Sequence, residues 1–180
     1  MLKYIAALND YVEVVTLAGT QLRTVAASVT RTADSHIEYG AGDVVGGPSL
    51  LTTAAITFTN IGVAGEVVRI TGSRLAIGLA AIPANMTSFT LHLYNITPPS
   101  ALLDNAAWDL PAGDVASYCG SIALGTPADL GSTLYIATSN INLDVQMGAT
   151  NNLYGYLVTT AIYEPAISTL MGITLLAQNI

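Results

Sequence analysis

Charge is what this sequence lacks most. Lys, Arg, Asp and Glu make up 9% of its 180 residues, against roughly a quarter in an ordinary soluble domain. With so few charges, the exterior must be covered by Thr, Ser, Asn and Gly, or be buried against partners. Interface cores are depleted in charge, so the composition predicts an obligate oligomer or a component of a larger assembly. Five basic residues (Lys3, Arg23, Arg31, Arg69, Arg74) stand against 12 acidic ones, for a net charge of -7. Beyond Arg74 every charge is acidic: Asp104, Asp109, Asp114, Asp129, Asp144 and Glu164. Phosphate backbones are bound by clustered Lys and Arg, and no such cluster exists. Nucleic acid is not an expected partner.

Cysteine is nearly absent. A single one, Cys119, excludes an intrachain disulfide and leaves the redox compartment undiagnosed. Long apolar runs are missing too. The longest, Leu75 to Ala84, is interrupted by Gly78 and Pro83 and falls well short of the roughly 20 residues of a membrane span. The N-terminal Met1-Leu2-Lys3-Tyr4-Ile5-Ala6-Ala7-Leu8 is a poor signal peptide, because its short apolar run breaks at Asn9-Asp10. The expectation is a soluble chain that is not exported and does not enter a membrane.

What is present is a period of two. Ala54, Ile56 and Phe58 alternate with Ala55, Thr57 and Thr59; Phe89, Leu91 and Leu93 with Thr90, His92 and Tyr94; Ile141, Leu143, Val145 and Met147 with Asn142, Asp144 and Gln146. Successive strand residues point to opposite faces, so each segment has one apolar and one mostly polar face. Further strands are expected over 25–30, 66–71, 74–80, 118–123, 133–138, 153–162 and 169–177. Turn residues punctuate them: Gly40-Ala41-Gly42-Asp43, Gly46-Gly47-Pro48, Asn60-Ile61-Gly62, Thr71-Gly72-Ser73, Pro98-Pro99 and Pro111-Ala112-Gly113-Asp114. Short strands so spaced predict an all-β antiparallel sandwich, with a jelly roll the commonest arrangement for this many. Residues 21–180 are expected to form a single sandwich domain. Residues 1–20 are expected to form an N-terminal arm of open form: Leu2, Ile5, Leu8, Val12 and Val15 have helical spacing, while Tyr11-Val12-Glu13-Val14-Val15-Thr16 reads equally well as strand.

No constellation of residues announces chemistry. Asp34-Ser35-His36 has the residue types of a hydrolytic triad, but adjacent residues point in different directions, and no nucleophile elbow is present. A turn leading into Ile37-Glu38-Tyr39 explains it. His92, on the polar side of its strand, reads as a surface or interface histidine. With Cys119 and His36 it shows no zinc-ligand spacing. Cys119 has no basic neighbour to lower its pKa and reads as a small core residue. The acidic segment Asp104 to Asp114 offers Asp104, Asn105, Asp109 and Asp114 as oxygen ligands for calcium. Its spacing matches no known calcium loop, and Asp and Asn serve turns by local hydrogen bonds. The same carboxylates could hydrolyse a glycosidic bond, although Trp108 is the only tryptophan of the sugar platforms such clefts use. Gly40 to Gly46 lacks both the P-loop lysine and the dinucleotide spacing. The sequons at Asn85 and Asn95 are patterns only. The expectation is no enzyme, with no catalytic, cofactor-binding or metal-ligating set.

From about Val29 onward a string of segments resembles small virion-associated proteins of tailed bacteriophages. They are Val29-Thr30-Arg31-Thr32-Ala33-Asp34, Tyr39-Gly40-Ala41-Gly42-Asp43-Val44-Val45-Gly46, Ile56-Thr57-Phe58-Thr59-Asn60-Ile61-Gly62, Phe89-Thr90-Leu91-His92-Leu93-Tyr94-Asn95, Leu103-Asp104-Asn105-Ala106-Ala107-Trp108-Asp109-Leu110 and Leu153-Tyr154-Gly155-Tyr156-Leu157-Val158-Thr159. The resemblance implies a jelly-roll capsid decoration, or cement, protein. Such a protein is made in the bacterial cytoplasm, sits on the capsid surface as a homotrimer and holds on to the major capsid protein. The alternative is a carbohydrate- or receptor-binding module of a phage head or tail fibre, with Tyr94, Trp108, Tyr154 and Tyr156 as its aromatic platform.

Overall fold

The computed structural model describes residues 22–31, 38–47, 53–166 and 168–180. The N-terminal arm over 1–20 and the Asp34-Ser35-His36 triplet lie outside these residues. The described elements are all strands: β1 (Leu22–Thr30), β2 (Ile56–Phe58), β3 (Val67–Ile77), β4 (Phe89–Tyr94), β5 (Tyr118–Gly125), β6 (Ala128–Asp129), β7 (Leu134–Gln146), β8 (Leu153–Thr159) and β9 (Leu170–Asn179). Among the described residues no helix is long and apolar enough to cross a membrane.

The strands form two sheets, ordered β1-β9-β3-β7-β6 and β2-β8-β4-β5, with every pairing antiparallel. Setting aside the two-residue β6, the strands pair from the two ends of the chain inward, successive pairs falling in alternate sheets: β1 with β9, β2 with β8, β3 with β7, β4 with β5. That winding of antiparallel pairs into two facing four-strand sheets is the jelly roll. The expected fold class is the observed one.

The core lies between the sheets. Ile70, Leu75, Ile173 and Leu175 from one sheet meet Phe58, Leu91, Leu93 and Leu157 from the other, all essentially inaccessible to solvent. Burying each such side chain is worth about 1.5–3 kcal/mol, which is why the two-residue period carries the fold.

Two expected breaks turn out to be bends within strands. Thr71-Gly72-Ser73, read as a turn, is a β-bulge in the middle of β3, where the register to both β7 and β9 shifts between Ile70 and Gly72. The extra residue reverses the alternation. Val68 and Ile70 face the core before it, and Ser73, Leu75 and Ile77 after it. Only glycine fits there comfortably, since a Cβ on Gly72 would lie 3.2 Å from the Thr138 carbonyl oxygen. The segments expected over 133–138 and 141–147 are likewise one strand, β7. It bends beside the bulge through Asn140, whose φ is 58°.

Candidate functional site

The outer face of β2-β8-β4-β5 carries rings: His92 and Tyr94 on β4, Tyr154 and Tyr156 on β8, Tyr118 on β5. Rings on a solvent face need a cover, and the 95–117 connection supplies it. It is tied down by backbone bonds from Val44 N to the Ala106 oxygen, Asn105 N to the Val44 oxygen, and Trp108 N to the Gly42 oxygen. The Tyr156 hydroxyl accepts from Leu102 N at 2.9 Å, and Trp108 Nε1 donates to the Tyr94 hydroxyl at 3.2 Å. Tyr94 and Tyr156 are fully buried as a result. They are not the open sugar platform expected of them, while Trp108 and Tyr154 remain half-buried.

His92 also departs from expectation. It is 8% exposed, because the connection lays Trp108 over its imidazole, with ring centroids 3.6 Å apart and planes 22° from parallel. Its Nδ1 lies 3.1 Å from the Tyr118 hydroxyl. Burial lowers its pKa to about 4, so the ring is neutral at neutral pH. Its contacts are the Trp108 and Tyr118 rings and the Tyr118 hydroxyl.

The acidic segment does not converge. Asp104 points inward, accepting a 2.6 Å bond from the Tyr39 hydroxyl and a 2.9 Å bond from Gly46 N. Its other oxygen lies 3.9 Å from Arg31 Nε, both side chains being fully enclosed. Arg31 Nε donates to the same tyrosine oxygen at 2.9 Å. Burial, first of all, and then Asp104 hold the Tyr39 hydroxyl far above its ordinary pKa. Asp114 turns inward at the far end of the connection and accepts from Ser100 N at 3.1 Å and Ser100 Oγ at 2.5 Å. Asp109 is exposed. Among the described residues no three His, Cys, Asp or Glu side chains group as a metal site would. Asp104 therefore clamps the covering connection to the sandwich, while Asp114 ties the two ends of the connection to each other through Ser100. Cys119 packs beside the core, its thiol raised to about 11 by burial. Sequence reasoning missed Arg31 as a buried partner, because nothing near it in the chain signals the distant aspartate.

The opposite surface is the open one. The outer face of β1-β9-β3-β7 presents Thr24, Ala26, Ser28 and Thr30 from β1, Thr174 and Leu176 from β9, Arg74 and Ala76 from β3, and Ala137 and Asn142 from β7. Its charges are the exposed Arg69–Asp144 pair, bidentate at 2.6 and 2.8 Å, and Arg74. Leu22 and Leu170 are exposed along it at 65% and 53%. Beside β1 a groove of about 520 Å³ is lined by Ala27 to Thr30, Thr53 and Ala55 to Thr57, without a charge. A second groove of about 550 Å³ between Leu79 and Ala166 has one charged wall residue, Glu164.

No protein-family model matches the chain, and no curated protein matches it. Solved structures do show a likeness. A chain of the full particle of Israeli acute paralysis virus heated to 63 degrees is 12% identical, with a TM-score of 0.28, over 89% of this chain and 74% of that one. A chain of the native virion of Kashmir bee virus at acidic pH gives 12% and 0.28, over 88% and 73%. One from the T13 particle of infectious bursal disease virus gives 10% and 0.22, over 88% and 40%.

Proposed function

We propose that this protein is a structural component of a virion, a decoration protein that binds the outer capsid shell of a tailed bacteriophage and stabilises contacts between capsomers. The observation that carries the reading is the division of the jelly roll into two unlike outer surfaces. One is closed by its own 95–117 connection; the other is an extended face of hydroxyl, alanine and leucine side chains. A rigid sandwich with a broad face low in charge suits static adhesion, since affinity comes from apolar and hydrogen-bonded contact. In this reading the copies associate as a homotrimer, contact the major capsid protein and catalyse nothing. Acidic residues such as Asp109 and Asp129 face solvent.

Co-sedimentation with empty shells of the parent virion tests the proposal. Saturable binding at a fixed ratio to capsomers is expected. Binding to a glycan array without any capture by shells would overturn it in favour of a receptor-binding module.

A further inference from the structure

Open sheet edges invite pairing with other chains, and proteins blunt them with short strands, bulges and charge. Most of the edges here are blunted. β2 is three residues long and β6 two, ending on Asp129. β5 shifts register against β4 twice and carries left-handed glycines at Gly120 and Gly125. The part of β7 beyond β6 bends at Asn140, and its Thr138 hydroxyl bonds to the Leu124 carbonyl at 3.1 Å. β1 has none of these devices. Its nine residues pair with β9 in one unbroken register from Leu22 to Thr30. It contains no Gly, Pro or acidic residue, and its lone charge, Arg23, is drawn off to the Asn60 carbonyl at 3.1 Å. Among the described residues no strand pairs with its outer edge.

The geometry points to a second copy of this chain as the occupant, its β1 lying antiparallel to the first across a two-fold axis at Ala26. A two-fold contact is self-complementary, so whatever residue i meets, its partner meets in return. Centring on Ala26 pairs the whole strand. Ala26 faces its own equivalent, Thr24 faces Ser28, Leu22 faces Thr30, Val25 faces Ala27, and Arg23 faces Val29 of the second copy. No like charges stand opposite each other, the arrangement that would repel. The facing Thr24 and Ser28 hydroxyls are of the kind that hydrogen-bond across antiparallel strands. The uncharged groove beside Ala27 to Thr30 continues the contact on the inner side. This pairing needs no shell, and it doubles whatever ring the copies otherwise form: single copies become a dimer, a trimer becomes two joined trimers.

Light scattering at micromolar concentration reads the outcome as mass. Wild type is expected to hold an even number of copies. In Thr24→Lys/Ser28→Lys the new lysines face each other across the axis, and the mass should fall two-fold. Both positions are exposed, so the fold should persist, as an unchanged far-ultraviolet circular dichroism spectrum would show. Thr24→Glu/Ser28→Lys places opposite charges across the same axis and should restore the full mass, which a general folding defect would not allow. An odd-numbered wild-type species, an unchanged mass in the double-lysine variant, or no restoration by the charge pair each overturns the pairing. Shell binding is scored separately. That arm uses wild type, because Thr24 and Ser28 also lie on the face offered to the shell. Wild type that saturates shells keeps the decoration reading whatever the masses show, whereas mass halving in a protein whose wild type ignores shells keeps the pairing and removes that reading.

Discussion

Arg31 and Asp104 meet in the interior, 3.9 Å apart with no solvent access to either side chain, and the Tyr39 hydroxyl touches both. The pair joins the end of β1 to the middle of the 95–117 connection. Breaking a buried ion pair from one side costs about 3–5 kcal/mol, because the remaining charge stays buried. Asp104→Ala should therefore lower the unfolding free energy in urea by that order. Tyr39→Phe, which removes only the bridging hydroxyl, should cost about 1–3 kcal/mol. Replacing both charges with apolar residues of similar size should cost less than Asp104→Ala alone. A small loss in Asp104→Ala would mean that this contact does not hold the connection.

The stacking of Trp108 on His92 makes stability depend on pH in a definite direction. The folded pKa of about 4 lies below the ordinary 6.5, so the unfolded chain takes up a proton that the folded protein refuses. This contribution is complete above about pH 6.5 and is lost progressively as pH falls towards 4. One pKa unit is about 1.4 kcal/mol, so the loss should reach up to about 3 kcal/mol. His92→Phe keeps a ring beneath Trp108 and should flatten this part of the profile. Proton NMR of the imidazole supplies the check, and titration near 6.5 would contradict the burial.

Trp108→Ala should open the same site. A fully buried aromatic truncation costs about 3–5 kcal/mol, and because Trp108 is half-buried its loss should fall at or just below the bottom of that range, about 2–3 kcal/mol. It should also raise the pKa of His92 towards its ordinary value, because the imidazole regains water. The two readouts must move together. If stability falls while His92 still titrates near 4, something other than Trp108 keeps its ring dry.

The sandwich was legible because burial of one face writes a period of two into each strand, as in Phe89, Leu91 and Leu93 or Val145 and Met147. The bulge at Gly72 was not. Locally, Thr71-Gly72-Ser73 is a good turn, and only the approach of Thr138 from another strand makes it a bend. The burial of His92 was hidden for a related reason. Its alternation correctly assigns it to the outer face, but that face is dry because a distant connection folds over it. The Arg31–Asp104 pair depends wholly on tertiary placement. Periodicity thus carries the layers, while the polar interior follows from loops whose paths no local pattern encodes.

Gly155 offers a test of how closely β8 and β4 approach within their sheet. It sits on the inner side of β8 opposite Leu93, where a Cβ would come within 2.9 Å of the His92 carbonyl and 3.2 Å of a Leu91 methyl. The nearest atom is backbone within a paired strand and cannot swing aside, so β8 itself must shift. Over-packing of this kind costs typically 1–3 kcal/mol. Gly155→Ala should fall in that range, whereas Gly113→Ala, where an added Cβ meets nothing within 4 Å, should change stability by less than about 0.5 kcal/mol. Equal effects at the two sites would show that β4 and β8 are not packed as closely as their register requires.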